Sequence, residues 1–211
     1  MGTAFLLAIV VGSGIMGERL AGGNVAIALL ANALATGAGL IALILTFGPI
    51  SAHINPAVTL LAAASGELSW REAPMYIAAQ VTGAFLGVFA AHAMFGMDIL
   101  QLSTRTRSGA AQAFSELVAT FGLLIVVASV AKHRRADVAY AVGAYITAAY
   151  WFTASTSFAN PAVTLARAAT ESFAGIRPAD APLFIAAQLV AVVVAAIVVP
   201  RLFAKSHPAA R

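Results

Sequence analysis

The hexapeptide Asn-Pro-Ala-Val-Thr-Leu occurs at 55–60 and again, unchanged, at 160–165. A second pair of matching stretches follows in the same order, 74–80 and 182–188, and both end in Ala-Ala-Gln. Two paired matches in one order indicate an internal duplication. The chain is therefore predicted to be a single domain over 1–211 that consists of two related halves, about 1–96 and about 110–205.

The composition around the repeat is that of a membrane protein. Hydrophobic residues make up 61% of the 211 residues and charged residues only 9%, against about a quarter charged in ordinary soluble domains. Spans are predicted at about 2–17, 25–47, 74–96, 112–131, 138–154 and 182–203. These lengths approach the roughly 20 residues that a helix needs to cross the bilayer. Because there are several such runs, they cannot be explained by a single signal peptide.

Two further apolar segments, about 55–65 and 160–170, are too short to span. At about 1.5 Å per residue each reaches roughly halfway across. The predicted fold class is an all-α membrane protein with six transmembrane helices and two re-entrant half-helices. Because each half then crosses the membrane an odd number of times, the halves are inverted repeats, and their Asn-Pro starts are expected to meet near the midplane.

Each Asn-Pro-Ala suits the start of a half-helix inside the bilayer. Asn55 and Asn160 can act as N-caps, and a proline is tolerated at the first helical position. With its oxygen so engaged, each asparagine has NH₂ donors left to face a passage. The predicted midplane site consists of Asn55, Pro56, Ala57, Asn160, Pro161 and Ala162.

Two helix N-termini directed at one spot each contribute about half a positive charge there. Such a site accepts a neutral hydroxylated solute and repels cations, protons included. A single Asn-Pro-Ala also caps ordinary helices, so capping alone is the alternative interpretation.

Several functional classes receive no support from the sequence. The chain has no cysteine, and its four histidines show no ligand spacing, so no metal or cofactor site is predicted. The net charge of +4 is spread over short connectors, which gives no reason to expect nucleic acid as a partner. The glycines at 12–17 match a dinucleotide-binding fingerprint, but no strand precedes them. Close helix packing explains these glycines, Gly83 and Gly87 better.

The basic residues predict the orientation in the membrane. One side carries Arg71, Lys132, Arg134, Arg135, Arg201, Lys205 and Arg211, against five basic residues opposite. By the positive-inside rule this side is cytoplasmic, and it holds both termini. The first span begins without a polar or basic lead, so we expect the true start to lie upstream of Met1.

The segment 53–59, His-Ile-Asn-Pro-Ala-Val-Thr, resembles the first loop motif of the major intrinsic protein family, the aquaporins and aquaglyceroporins. The likeness covers essentially the whole chain. It implies a passive channel for small uncharged solutes, embedded in the lipid bilayer of the cell membrane as a homotetramer with one pore per subunit. No nucleic acid or cofactor is implied.

The segment 115–120, Ser-Glu-Leu-Val-Ala-Thr, resembles the family's helix start with its buried glutamate. The resemblance implies that Glu116 accepts hydrogen bonds from loop backbone and steadies a half-helix. A membrane-facing carboxylate, the alternative, would be costly. The first-half counterpart of Glu116 would fall just before Met1.

The family's outer constriction has four positions, and this sequence departs from the usual pattern. Val163 replaces the arginine that usually follows the second Asn-Pro-Ala, and Thr36 replaces the aromatic residue of strict water channels. The fifth-span position is Ala148 or Tyr150, and the loop position is Ser157. Small, uncharged residues predict a wider, less polar constriction than that of a strict water channel.

The stretches 152–160 and 171–176 resemble a prokaryotic branch sometimes associated with arsenic resistance. We therefore expect glycerol and trivalent arsenous acid to pass along with water.

Three further residues admit two roles each. Arg167 lies one helical turn beyond Val163, where it can supply a cation to the outer vestibule or anchor the half-helix end by snorkelling. His53 can line the inner mouth or brace the loop. His92 is expected to be a packed or interfacial residue without a direct function.

Two other classes compete with the channel. A secondary transporter also uses inverted repeats and broken helices, but coupling normally needs ionisable residues inside the membrane, and Glu116 is the one acidic residue deep in a predicted span. An intramembrane enzyme would need a Ser/His or metal-binding pair on facing spans, and none stands out in the sequence.

Overall fold

The computed structural model describes residues 1–203, all of whose regular structure is helical. The helices are α1 (Gly2–Leu20), α2 (Val25–Phe47), α3 (Pro56–Ala64), α4 (Ala73–Met94), α5 (Ala110–His133), α6 (Val138–Phe152), α7 (Pro161–Arg167) and α8 (Ala181–Leu202). Lys205, Arg211 and the predicted end of the second repeat lie outside the described residues.

The predicted fold class is confirmed. Five of the helices, α1, α2, α4, α5 and α8, are long and apolar enough to cross a membrane. The remaining helix, α6, corresponds to the fifth predicted span and has 15 residues, or about 22 Å of helix. It ends because Thr153 is extended where the chain turns into the following loop. The half-helices α3 and α7 have 9 and 7 residues, and α7 ends three residues earlier than predicted.

The repeat is visible in how the helices pair. Helix α1 packs against α4 and α2, α5 packs against α8 and α6, and the two halves meet where α2 packs on α6. Glycines let these backbones approach closely. A Cβ atom on Gly143 would lie 2.6 Å from the carbonyl oxygen of Gly37, and one on Gly87 would overlap the carbonyl oxygen of Ala4. By contrast, a Cβ on Gly83 would meet its nearest neighbours at an ordinary 3.4 Å.

Gly87 and Gly83 of α4 provide a matched test of the packing between α1 and α4. We expect Gly87→Ala to lower the free energy of unfolding by about 1–3 kcal/mol, because the added methyl group forces the two backbones apart. Gly83→Ala, one turn earlier, should leave stability near that of the wild type. Thermal unfolding of the purified protein in detergent measures both. Equal melting temperatures for the two variants would contradict this account of the interface.

Candidate functional site

Each half-helix begins with an asparagine that caps its own first turn. Asn55 Oδ1 accepts from the backbone N–H of Ala57 at 2.8 Å. Asn160 Oδ1 accepts from the N–H groups of Ala162 and Val163 at 3.0 and 3.2 Å. Pro56 and Pro161 occupy the first helical positions, where a missing N–H leaves no bond unmade.

The two capped starts also hold each other. Asn55 Nδ2 donates to the carbonyl oxygen of Ala159 at 2.8 Å, and Asn160 Nδ2 donates to that of Ile54 at 2.9 Å. The half-helix starts therefore meet inside the protein, as the inverted repeat predicts. The sequence predicts that the NH₂ group of each asparagine is free to face a passage; one N–H of each amide is used in this exchange and one is left.

The residues just before the asparagines have an unusual backbone conformation. Ile54 and Ala159 have φ angles of 48° and 47°, in the left-handed region that is costly for a β-branched residue such as isoleucine. Their carbonyl oxygens are the two acceptors of the exchange. Neither residue type predicts this conformation, so sequence reasoning missed both.

Glu116 holds the loop that precedes Asn160, here called the second loop, by hydrogen bonds to its backbone. Its side chain is fully buried, at 0% exposure, and its two oxygens accept from the N–H groups of Phe158 and Ala159 at 2.9 and 2.8 Å. Gln188 Nε2 donates a third bond at 2.6 Å. The carboxylate therefore faces loop backbone and not lipid.

A threonine and a glutamine support each asparagine in the same way in both halves. Thr59 Oγ1 donates to the carbonyl oxygen of Asn55 at 3.1 Å and accepts from Gln80 Nε2 at 2.9 Å. Thr164 repeats this with the carbonyl of Asn160 at 2.9 Å and with Gln188 at 2.8 Å. The sequence did contain this signal, because all these residues lie in the repeated stretches.

A cavity of about 1230 Å³ passes the asparagine pair. Lys132 and Arg135 line one end of it, called the inner end after the predicted orientation; Asn55 and Asn160 line its middle, and Tyr150 and Arg167 line the other, outer end. Residues from both halves thus surround a single path.

Four of the five residues predicted for the constriction line this cavity: Thr36, Tyr150, Ser157 and Val163. The hydroxyl groups of Thr36 and Tyr150 are 3.2 Å apart and hydrogen-bonded. Ala148 is exposed and does not line the cavity, so this alternative for the fifth-span position is wrong. The reason is helical periodicity, since the residues of α6 that face the cavity recur every four positions and end at Tyr150.

The structure decides between the two roles of Arg167. Its side chain is 2% exposed, so it does not snorkel to the surface. Its Nε donates to the carbonyl oxygen of Ala174, and its guanidinium carbon lies 3.4 Å from the ring centroid of Phe158. The arginine is thus held inside the outer part of the cavity.

The two histidines lie in different surroundings. His53 lines the inner part of the cavity, and its Nδ1 is 3.2 Å from Thr59 Oγ1. Its position is therefore compatible with both expected roles, lining the inner mouth and bracing the loop. His92 is fully buried away from the cavity, between the carbonyl oxygen of Ile99 at 3.0 Å and Thr170 Oγ1 at 2.8 Å. It is a packed residue, as expected.

Arg107, which sequence reasoning missed, ties the loop between α4 and α5 to the outer mouth. Its guanidinium donates to the carbonyl oxygens of Gly175 and Ser155 at 2.8 and 3.2 Å and lies 5.1 Å from the ring of Phe158. Burial lowers the pKa of Arg107 to about 10, so it remains charged at neutral pH. Nothing in the sequence of this loop marks Arg107, because the partners lie far along the chain.

The fold and site define a class of protein. Two inverted repeats that bring capped half-helices together on one cavity inside a set of membrane-spanning helices are the architecture of a membrane protein that carries small solutes.

Comparison with known proteins identifies the family. A sequence model described as "Major intrinsic protein" matches residues 1–139. The aquaglyceroporin AqpS of Rhizobium meliloti (strain 1021) is 49% identical over 212 residues, which cover 100% of this chain and 91% of that protein. Aquaporin NIP3-1 of Oryza sativa subsp. japonica is 34% identical over 154 residues, 70% of this chain and 49% of its own length.

A solved structure agrees in fold. The aquaglyceroporin from Plasmodium falciparum superposes with a TM-score of 0.69 over 98% of this chain and 93% of that one, at 21% identity. The chain belongs to the major intrinsic protein family, which confirms the resemblance read from the sequence. It is a membrane channel and not an enzyme.

The position of Glu116 yields a test of the site's architecture. We expect Glu116→Gln to lower the free energy of unfolding by about 3 kcal/mol or more, because an amide NH₂ group would then face backbone donors in a buried place. Glu171→Gln is the matched control, since this exposed carboxylate also binds a loop N–H, that of Thr104. Thermal unfolding in detergent compares them. A Glu116 variant as stable as the Glu171 variant would show that the buried bonds do not hold the loop.

Proposed function

We propose that the chain is a passive channel that conducts water, glycerol and other small neutral hydroxylated solutes and excludes ions and protons. The observation that carries the proposal is the meeting of two half-helix N-termini on one cavity, with an unused N–H on each asparagine. A hydroxylated solute has lone pairs that can accept these bonds, so it can shed water there at little cost.

The same arrangement disfavours cations. Each half-helix N-terminus contributes about half a positive charge at the meeting point. The carbonyl oxygens of Ile54 and Ala159, which could otherwise replace a cation's water, already accept from asparagine amides. A cation would therefore lose hydration and meet a repulsive field.

We propose that Thr36, Tyr150, Ser157 and Val163 form the outer constriction. Its polar edge is the hydrogen-bonded pair of Thr36 and Tyr150, and its apolar edge is Val163. A polar edge beside an apolar edge suits a polyol, whose hydroxyl groups lie along a hydrocarbon backbone. Trivalent arsenous acid, a neutral molecule with three hydroxyl groups, is a further proposed solute on the same grounds.

We also propose a homotetramer in the cell membrane with both termini cytoplasmic. The tetramer rests on the family resemblance. The orientation is supported by the basic residues at the inner end of the cavity, Lys132 and Arg135, and by the positive-inside rule.

Stopped-flow measurements on liposomes containing the protein test the proposal. Water, glycerol, urea and arsenite should each be compared with empty liposomes. We expect water and glycerol fluxes above the empty-liposome rate that rise linearly with concentration and ignore a proton gradient. Saturating or gradient-driven flux would instead favour a coupled transporter.

Val163→Arg tests the constriction in the same liposomes. The added guanidinium should reduce glycerol and arsenite permeability more than water permeability, because it narrows the path and covers its apolar edge. Val163→Met adds bulk without charge and is the control for volume. Unchanged ratios between the solutes in the arginine variant would contradict the assignment of Val163.

Asn160→Asp tests the midplane barrier. The carboxylate keeps an oxygen for the cap but replaces the NH₂ donors with a negative charge, so we expect proton or potassium leak to appear and glycerol flux to fall. Asn24→Asp is the matched control, because Asn24 caps α2 in an exposed position by bonds to Ala26 and Ile27. Leak that is absent from the Asn160 variant, or equal in both variants, would argue against the barrier.

A further inference from the structure

Arg167 has hydrogen-bonding capacity that the fold does not use. Its Nε donates to Ala174, but among residues 1–203 neither terminal nitrogen has an acceptor within hydrogen-bonding distance. The side chain is 2% exposed and lines the cavity. Because these residues supply no acceptor, the four terminal N–H groups are open to the cavity, where the oxygen atoms of a solute can accept their hydrogen bonds.

The guanidinium lies in a fixed position. It stacks on the ring of Phe158 at 3.4 Å from the centroid, and the N–H of Phe158 is itself held by Glu116. A helical side chain covers the turn that precedes its own Cα. Arg167 is therefore directed back toward Val163, which lies one turn earlier on α7 and lines the same part of the cavity.

The charge of Arg167 is not neutralised by an ion pair among the described residues. Four acidic groups on this side are already engaged: Glu18 with Arg105 at 3.2 Å, Asp180 with Arg177 at 2.8 Å, Glu171 with Thr104 at 2.9 Å and Glu116 with loop N–H groups. Arg107 stacks on the same Phe158 ring and adds a second positive charge. Two guanidinium groups therefore lie against one aromatic ring beside the outer part of the cavity.

We propose that Arg167 is the specificity-determining residue at the outer end of the path. Its terminal N–H groups donate to the oxygen atoms of hydroxylated solutes as these shed water, and its charge raises the barrier to cations before they reach the asparagine pair. The proposal rests on the proposed channel function and extends it to this residue.

The test compares Arg167→Met, Arg167→Lys and the wild type in liposomes, with glycerol, water and proton fluxes measured in parallel. In Arg167→Met we expect glycerol permeability to fall about tenfold, more than water permeability, because one charge-assisted hydrogen bond is lost where the solute is dehydrated. Proton leak should rise about tenfold, because the charge beside the path is gone. Arg167→Lys should keep protons out but still conduct glycerol slowly, since lysine retains the charge and loses the planar donor fork.

Arg105→Met is the control, because it removes a partly exposed positive charge on the same side that does not line the cavity. It should behave like the wild type. The proposal is overturned if folded Arg167→Met keeps the wild-type glycerol-to-water ratio and proton leak, or if Arg105→Met changes both equally. If Arg167→Met does not fold, Arg167→Lys provides the test. Glycerol permeability of Arg167→Lys equal to that of the wild type would overturn the proposed role of the guanidinium donors. A wild-type protein that conducts neither water nor glycerol would overturn the channel function itself.

Discussion

The exchange of hydrogen bonds between the two loops is the constraint on which the rest of the structure depends. Asn55 and Asn160 each donate to a carbonyl oxygen that precedes the other asparagine. The residues that supply those carbonyls, Ile54 and Ala159, take left-handed conformations, which cost on the order of 1–3 kcal/mol each. Without the other half, each half-helix start would leave an amide donor and a carbonyl acceptor of this exchange unpaired.

The start of the second half-helix is held by more side chains than the start of the first. Both use a threonine and a glutamine behind the asparagine, but the second loop is also held by Glu116 and Arg107 and covered by Arg167. Side chains from three separate parts of the chain thus fix the outer mouth. Groups that are to discriminate between solutes need to be held in place, and these contacts supply such support at the second loop.

The sequence predicts the parts of this architecture that depend on local pattern. An exact repeat in segments too short to span gives the half-helices and their caps, and the four-residue period of α6 could have selected Tyr150 over Ala148. The backbone of Ile54 could not have been predicted, because isoleucine favours other conformations and only tertiary hydrogen bonds impose this one. Arg107 escaped prediction for a related reason, since its partners come from loops distant in sequence.

Selection for neutral solutes follows from which polar groups remain unused. A cation needs oxygen atoms to replace its hydration shell, yet the carbonyls of Ile54 and Ala159 accept from amides and the carboxylate of Glu116 accepts three hydrogen bonds. The unused donors on the cavity include one N–H of Asn55 and one of Asn160 at the midplane and the terminal N–H groups of Arg167 at the outer end. A hydroxyl oxygen can accept a hydrogen bond from an N–H donor, whereas a cation cannot. The hydrogen bonds that hold the two loops together therefore also leave a path suited to neutral solutes.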